Sequence, residues 1–254
     1  LGLYEAAYRW ARQPIAQVFT PLLGPAVAAL SPTRDDPAAF RRAARAILNP
    51  VFAVTVPVLV YLAVEADAVI LLLMGGQWAE AIPLFRALCL GVVAMAVLKT
   101  TKWFYISLGK TKKQFWWAMA SSPFLAAAIL AAAPWGAFGV AVAFAAAHWA
   151  MVLPDLAICL RGSPLSLRGY LLLLARPFFA AAVAAAAASL LGHTIDQPHF
   201  VELPATALVF GIVYATVWLA LPGGRRAAGE AIDLVRSMRE KPPLPTAVQE
   251  QGHD

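Results

Sequence analysis

Arg9 and Arg12 stand one helical turn apart near the start of the chain, with Glu5 and Tyr8 one turn before them. Residues three and four apart share a helix face, so these side chains form one polar face. Two neighbouring guanidiniums suit an anion that accepts bidentate hydrogen bonds, such as a phosphate or pyrophosphate. The plainer reading is a solvated helix start at a membrane surface. A second pair is Asp155 and Arg176, each inside an apolar run. At 1.5 Å per residue, about five and about six residues from the ends of their runs, they lie at similar depth. Ionisable groups inside membrane segments are costly and mark functional positions by default. Paired, these two would either lock two helices together or form a gate or coupling-ion site. Lys99 and Lys102 lie just past the inner end of another apolar run, facing either a cavity or the cytoplasm. Arg86, near the outer end of that run, can snorkel to the interface.

Other chemistry is missing. His148 lies within an apolar run, His193 and His199 in one loop, and His253 at the polar end. None has a neighbour at metal-ligand spacing on a helix face. The chain has no nucleophile elbow, no phosphate-binding lysine loop and no dinucleotide-binding glycine fingerprint. Asp35-Asp36 resembles the paired acids of a nucleotide-sugar site. They precede Pro37 and the basic segment Ala38–Arg45, so a helix N-cap is the better reading. No enzyme activity, metal or cofactor is expected.

The elements that position these residues follow from composition. The chain has 254 residues, of which 61% are hydrophobic and only 13% charged. Mean hydropathy is +0.70. About a quarter of the residues of a soluble domain are charged, so a soluble fold and a nucleic-acid-binding domain are excluded. Cys89 and Cys159 both lie in apolar runs and read as small buried residues. About seven runs have the 17–25 residues needed to span a bilayer as a helix. They are Pro14–Leu30 (starting as early as Leu3), Ile47–Val64, Ile82–Leu98 (continuing to Leu108), Phe115–Ala133, Ala137–Leu160, Tyr170–Leu191 and Leu203–Leu221. Their continuous Ala/Leu character fits helices, not the alternating strands of a membrane barrel. Pro21, Pro25, Pro57, Pro123, Pro154 and Pro177 lie inside them, where a bundle can satisfy the freed carbonyls. The expected fold is an all-α polytopic transmembrane bundle over residues 1–221.

The formal charge of +6 sets orientation. Basic loops alternate with loops that lack Lys and Arg: Arg34, Arg41, Arg42 and Arg45 in the first, then Lys99 to Lys113, then Arg161 and Arg168, then Arg225 to Lys241 in the tail. The positive-inside rule places these in the cytoplasm, along with the C-terminus. Residues 222–254 form a cytoplasmic piece, with an amphipathic helix over Arg226–Met238 and a Pro-rich polar end. Ala66–Gln77 is apolar but too short to span, and reads as an interfacial or re-entrant segment beside the interface residue Trp78. The chain begins at Leu1 with no signal-peptide pattern, as a truncated start would.

Three segments carry a family resemblance: GLYEAAYRWA at residues 2–11, PAVAALSPTRDDPAAFRRA at 25–43, and LLMGGQWAEAIPLFRAL at 72–88. In that order and spacing they resemble the second half of bacterial polysaccharide flippases. These are the Wzx-type lipopolysaccharide and exopolysaccharide transporters of the multidrug/oligosaccharidyl-lipid/polysaccharide exporter superfamily. The resemblance implies one bundle of a pseudo-twofold pair around a central cavity, in the bacterial inner membrane. It implies movement of a polyprenyl-pyrophosphate-linked oligosaccharide across that membrane by alternating access. Related flippases hold the pyrophosphate with arginines of the corresponding early helix, which points to Arg9 and Arg12, with Lys99 and Lys102 as further cavity cations. Members are about twice as long, so the resemblance makes this chain a C-terminal half, with the N-terminal half and membrane lipids as its partners. Two alternatives belong to other classes. A multidrug cation exporter needs cavity carboxylates, and Asp155 is the one deeply placed. A membrane polymerase or ligase needs a large external loop with Arg and His, which the longest external loop, Glu65–Ala81, lacks.

Overall fold

The computed structural model describes residues 2–192 and 199–221, together with Gly224 and Gly229. The loop beginning at His193 and the segment after Leu221, including the expected tail helix, lie outside the described residues. Eight α-helices follow one another: α1 (Gly2–Leu30), α2 (Pro37–Val64), α3 (Ala66–Met74), α4 (Ile82–Ser107), α5 (Thr111–Ala132), α6 (Gly136–Leu160), α7 (Leu167–Gly192) and α8 (His199–Ala220). All but α3 have 22 to 29 residues. At 1.5 Å per residue they reach about 33–44 Å, more than the roughly 30 Å hydrocarbon thickness. The fold is an all-helical bundle with seven long helices among the described residues; by length and hydropathy they make up six membrane-spanning stretches, α5 and α6 falling within one of them, Thr111–Leu160.

The helices run past the expected ends. α2 begins at Pro37, a full ten residues before the apolar run at Ile47, because Asp36 caps it. The Asp36 carboxylate accepts from the N–H groups of Ala38 at 2.8 Å and Ala39 at 3.0 Å. This confirms the capping role over a nucleotide-sugar site. The nine-residue α3 fills the short apolar segment. It stops at Gly75, whose φ of +90° is closed to most L-residues. Prolines lie inside α1, α2, α5, α6, α7 and α8, and each helix continues through them.

α4 is the central element, packed against α6, α1 and α2. α7 packs on α2 and α8, whereas α5 leans chiefly on α6. Small residues let the central pair approach closely. A Cβ added at Gly91 of α4 would sit 2.8 Å from the Cα of Ala145 on α6 and equally close to the Phe144 ring. Further contacts show that the two helices run parallel. Trp149 Nε1 donates to Leu90 O at 3.1 Å, and Lys110 Nζ reaches Cys159 O and Arg161 O at 3.1 and 2.9 Å beyond the other end. The second layer is tied by hydroxyls. Tyr61 donates to Leu203 O, Tyr214 donates to Ala53 O, and Thr100 bonds Tyr170.

Two predictions follow from this packing. Gly91→Ala has to push backbone against backbone, so it destabilises by about 1–3 kcal/mol and lowers the unfolding temperature in detergent. The N–H groups of Ala39 and Ala38 hold the Asp36 carboxyl below the usual carboxylate range. A lowered pKa stabilises the folded state above that range, and the effect is lost as pH falls through the folded value. Acidification or Asp36→Ala therefore frays the first turn of α2, read as faster hydrogen exchange at Ala38 and Ala39.

Candidate functional site

α1 has two opposite faces. Ala7, Ala11, Ile15, Phe19 and Ala26 are buried. Glu5, Arg9, Arg12, Gln13, Gln17 and Thr20 are exposed. Glu5, Tyr8, Arg9, Arg12, Gln13 and Ala16 line an open groove of about 310 Å³. Tyr8 anchors this stripe. Its ring meets Phe144 of α6 edge-on at 5.5 Å, and the Arg12 guanidinium lies 5.7 Å from the Tyr8 centroid. The rest of the exposed surface is different. α5, α7 and α8 present large apolar groups such as Trp116, Leu130, Leu172, Leu190 and Leu208, as a lipid-facing surface should.

Arg9 and Arg12 lie on the exposed face of α1. α1 and α4 run parallel, since Phe19 packs on Trp103 and Arg12 acts electrostatically on Lys99. Lys99 is two turns from the end of α4, and Arg12 is nearly three turns inside α1. Both cations lie within helices that are longer than the hydrocarbon thickness. A cation facing lipid is costly, so the α1 stripe suits contact with water or another polypeptide.

Lys99 and Lys102 line a second cavity, of about 370 Å³, between α4, α5 and α6. Its wall includes Gln114, Ser121 and Ser122 from α5, and His148, Met151 and Asp155 from α6. The α1 groove and this cavity are lined by different basic residues, Arg9 and Arg12 in the first and Lys99 and Lys102 in the second. Asp155 is 3% exposed. Its Oδ2 lies 2.6 Å from Thr101 Oγ1 and its Oδ1 lies 2.9 Å from the Tyr105 hydroxyl. These α4 hydroxyls hold the carboxyl in place of the expected Arg176. That arginine is half-buried on α7, a helix with little contact to α6, and does not line the cavity. Arg86 is not snorkelling alone: it pairs with Asp67 of α3 at 2.5 Å and donates to Ala63 O.

Thr101 and Tyr105 were not legible as site residues in the sequence. Their one-turn spacing is visible there, but the partner on α6 comes only from packing. His148 is visible as an intramembrane histidine. Its Nδ1 bonds Phe144 O at 2.8 Å, within its own helix.

The fold defines a multi-pass α-helical membrane protein, with basic residues lining an open groove on α1 and a cavity between α4, α5 and α6. Residues 1–83 match the model of a family described as polysaccharide biosynthesis protein. The match covers α1 with Arg9 and Arg12, α2, α3 and the turn into α4. No curated protein and no solved structure matches the chain.

If the α1 stripe is wet, cysteines placed at Arg9, Arg12 and Lys99 should react with a membrane-impermeant thiol reagent in intact membranes. Cysteines at Leu130 and Leu190 should not, and neither should the buried Cys89 and Cys159. Equal labelling at all positions would refute the polar-cleft assignment.

Proposed function

We propose that the chain moves a polyprenyl-pyrophosphate-linked oligosaccharide across the bacterial inner membrane during surface polysaccharide synthesis. The observation that carries this reading is the set of basic residues that line the α1 groove, Arg9 and Arg12, and the cavity between α4, α5 and α6, Lys99 and Lys102. A diphosphate is the lipid-linked anion such a cluster suits, because its oxygens can take bidentate and point-charge partners together. The polysaccharide biosynthesis family match over residues 1–83, which includes both arginines, supports the same class of substrate. The positive-inside pattern of the loops supports a cytoplasmic C-terminus. A second helical bundle across the α1 stripe would complete the cavity, and rocking of the two bundles would give access to each leaflet in turn. The protein then acts by binding and moving its substrate, with no covalent step of its own.

The cation-exporter alternative is weaker. The deep carboxyl Asp155 is engaged by two hydroxyls, and the cavity around it carries Lys99 and Lys102, which repel a cationic substrate. In cells that depend on this protein for surface polysaccharide, Arg9→Ala combined with Arg12→Ala should abolish the polysaccharide while membrane levels of the protein stay normal. Lys99→Ala with Lys102→Ala should reduce it. Normal polysaccharide in the arginine double variant would sink the role of the α1 stripe.

A further inference from the structure

The hydrogens around Asp155 can be counted. Thr101 Oγ1 lies 2.7 Å from Leu98 O, one turn back on α4, and 2.6 Å from Asp155 Oδ2. A hydroxyl has one hydrogen, and a carbonyl can only accept. If Thr101 donates to Leu98 O, its short contact with Asp155 needs a hydrogen from the carboxyl side. Tyr105 spends its own hydrogen on Oδ1 at 2.9 Å. An ionised Asp155 therefore leaves three short contacts with two hydrogens. With a proton on Oδ2, three hydrogens serve three contacts. The neighbouring Thr100 shows the same arrangement solved differently. It donates to Val97 O, and the Tyr170 hydroxyl supplies the second hydrogen.

We propose that Asp155 is a proton-binding site whose occupancy sets the affinity of the adjoining cavity for an anion. The proton sits on Oδ2, in a bond to Thr101. When it leaves to the cavity, the Thr101 hydroxyl turns from Leu98 O to the carboxylate. Leu98 O loses a side-chain donor, and the cavity gains one negative charge beside Lys99 and Lys102. Protonation thus favours the bound diphosphate and deprotonation favours its release. Five other titratable groups face or lie near Asp155. They are Lys99, Lys102 and Tyr105 on α4, and His148 and Cys159 on α6. Tyr170 of α7 is close enough to act on it electrostatically. α5 faces the cavity with Gln114 and Ser121, neither of which titrates. The link to anion affinity rests on reading the cavity as a diphosphate site, but the proton site itself does not.

Infrared difference spectroscopy of the purified protein in bilayers tests the proton directly, because a protonated carboxyl has a C=O stretch that a carboxylate lacks. The Asp155→Asn amide retains both contacts, donating to Thr101 and accepting from Tyr105. A carboxylic C=O band should appear in the wild type, disappear as pH is raised, and be absent from Asp155→Asn. Tyr105→Phe removes the donor to the C=O, so that band should remain and move to higher frequency. Affinity for inorganic pyrophosphate should fall about tenfold across the same transition, the size expected for one charge a few ångströms away. Asp155→Asn should bind at the high level throughout, after allowance for titration of pyrophosphate itself. In His148→Gln the carboxylic C=O band should still be lost as pH is raised, which assigns the titration to Asp155. An Asp155 signal that is a carboxylate at every pH overturns the proposal, as does an unchanged pyrophosphate profile in Asp155→Asn. A band that titrates without any pyrophosphate binding supports the proton site and overturns the anion reading of the cavity.

Discussion

Inside a bilayer a polar group has no water to turn to, so each one needs a partner within the protein or a place in an aqueous cleft. Helices satisfy the backbone. Hydroxyls are spent on connections: Tyr61 and Tyr214 tie α2 to α8, and Thr100 with Tyr170 ties α4 to α7. Charges at helix ends are matched locally. Arg86 has Asp67, and Lys110 takes the last carbonyls of α6. Among the described residues, Arg9, Arg12, Lys99 and Lys102 form no ion pair. Arg9 and Arg12 instead line the open groove of α1, and Lys99 and Lys102 the cavity between α4, α5 and α6.

The site depends on how α4 is packed. α1, α4 and α6 run parallel, which brings Phe19 against Trp103 and Asp155 level with Thr101 and Tyr105. Gly91 against Ala145 sets the close approach of α4 and α6 and so the reach of Asp155 into the α4 hydroxyls. A side chain at position 91 would move the carboxyl and its cradle apart without touching either. α5 is one wall of the cavity. It packs mainly on α6 and exposes Phe115, Trp116, Met119 and Phe124.

Much of this was readable without a fold. Hydropathy marked seven long helices and the short α3, and Asp36 before Pro37 marked a cap ten residues ahead of the apolar run. The polar stripe of α1 was visible as Glu5, Tyr8, Arg9 and Arg12 because residues of one helix face are set by a fixed period. The Asp155–Arg176 pair was not correctly read. Depth along two helices can be counted from sequence, but which helices touch cannot. α6 spends its polar face on α4, and α7 turns toward α2 and α8.

The sequence by itself therefore determined composition, helix number and length, and which side chains share a face, since these follow from hydrophobicity and a 3.6-residue period. Only the tertiary structure decided that Tyr8 packs on Phe144, that Thr101 and Tyr105 hold Asp155, and that Arg176 lies elsewhere. Those contacts depend on which small residues allow which helices to approach, and a one-dimensional pattern does not specify that.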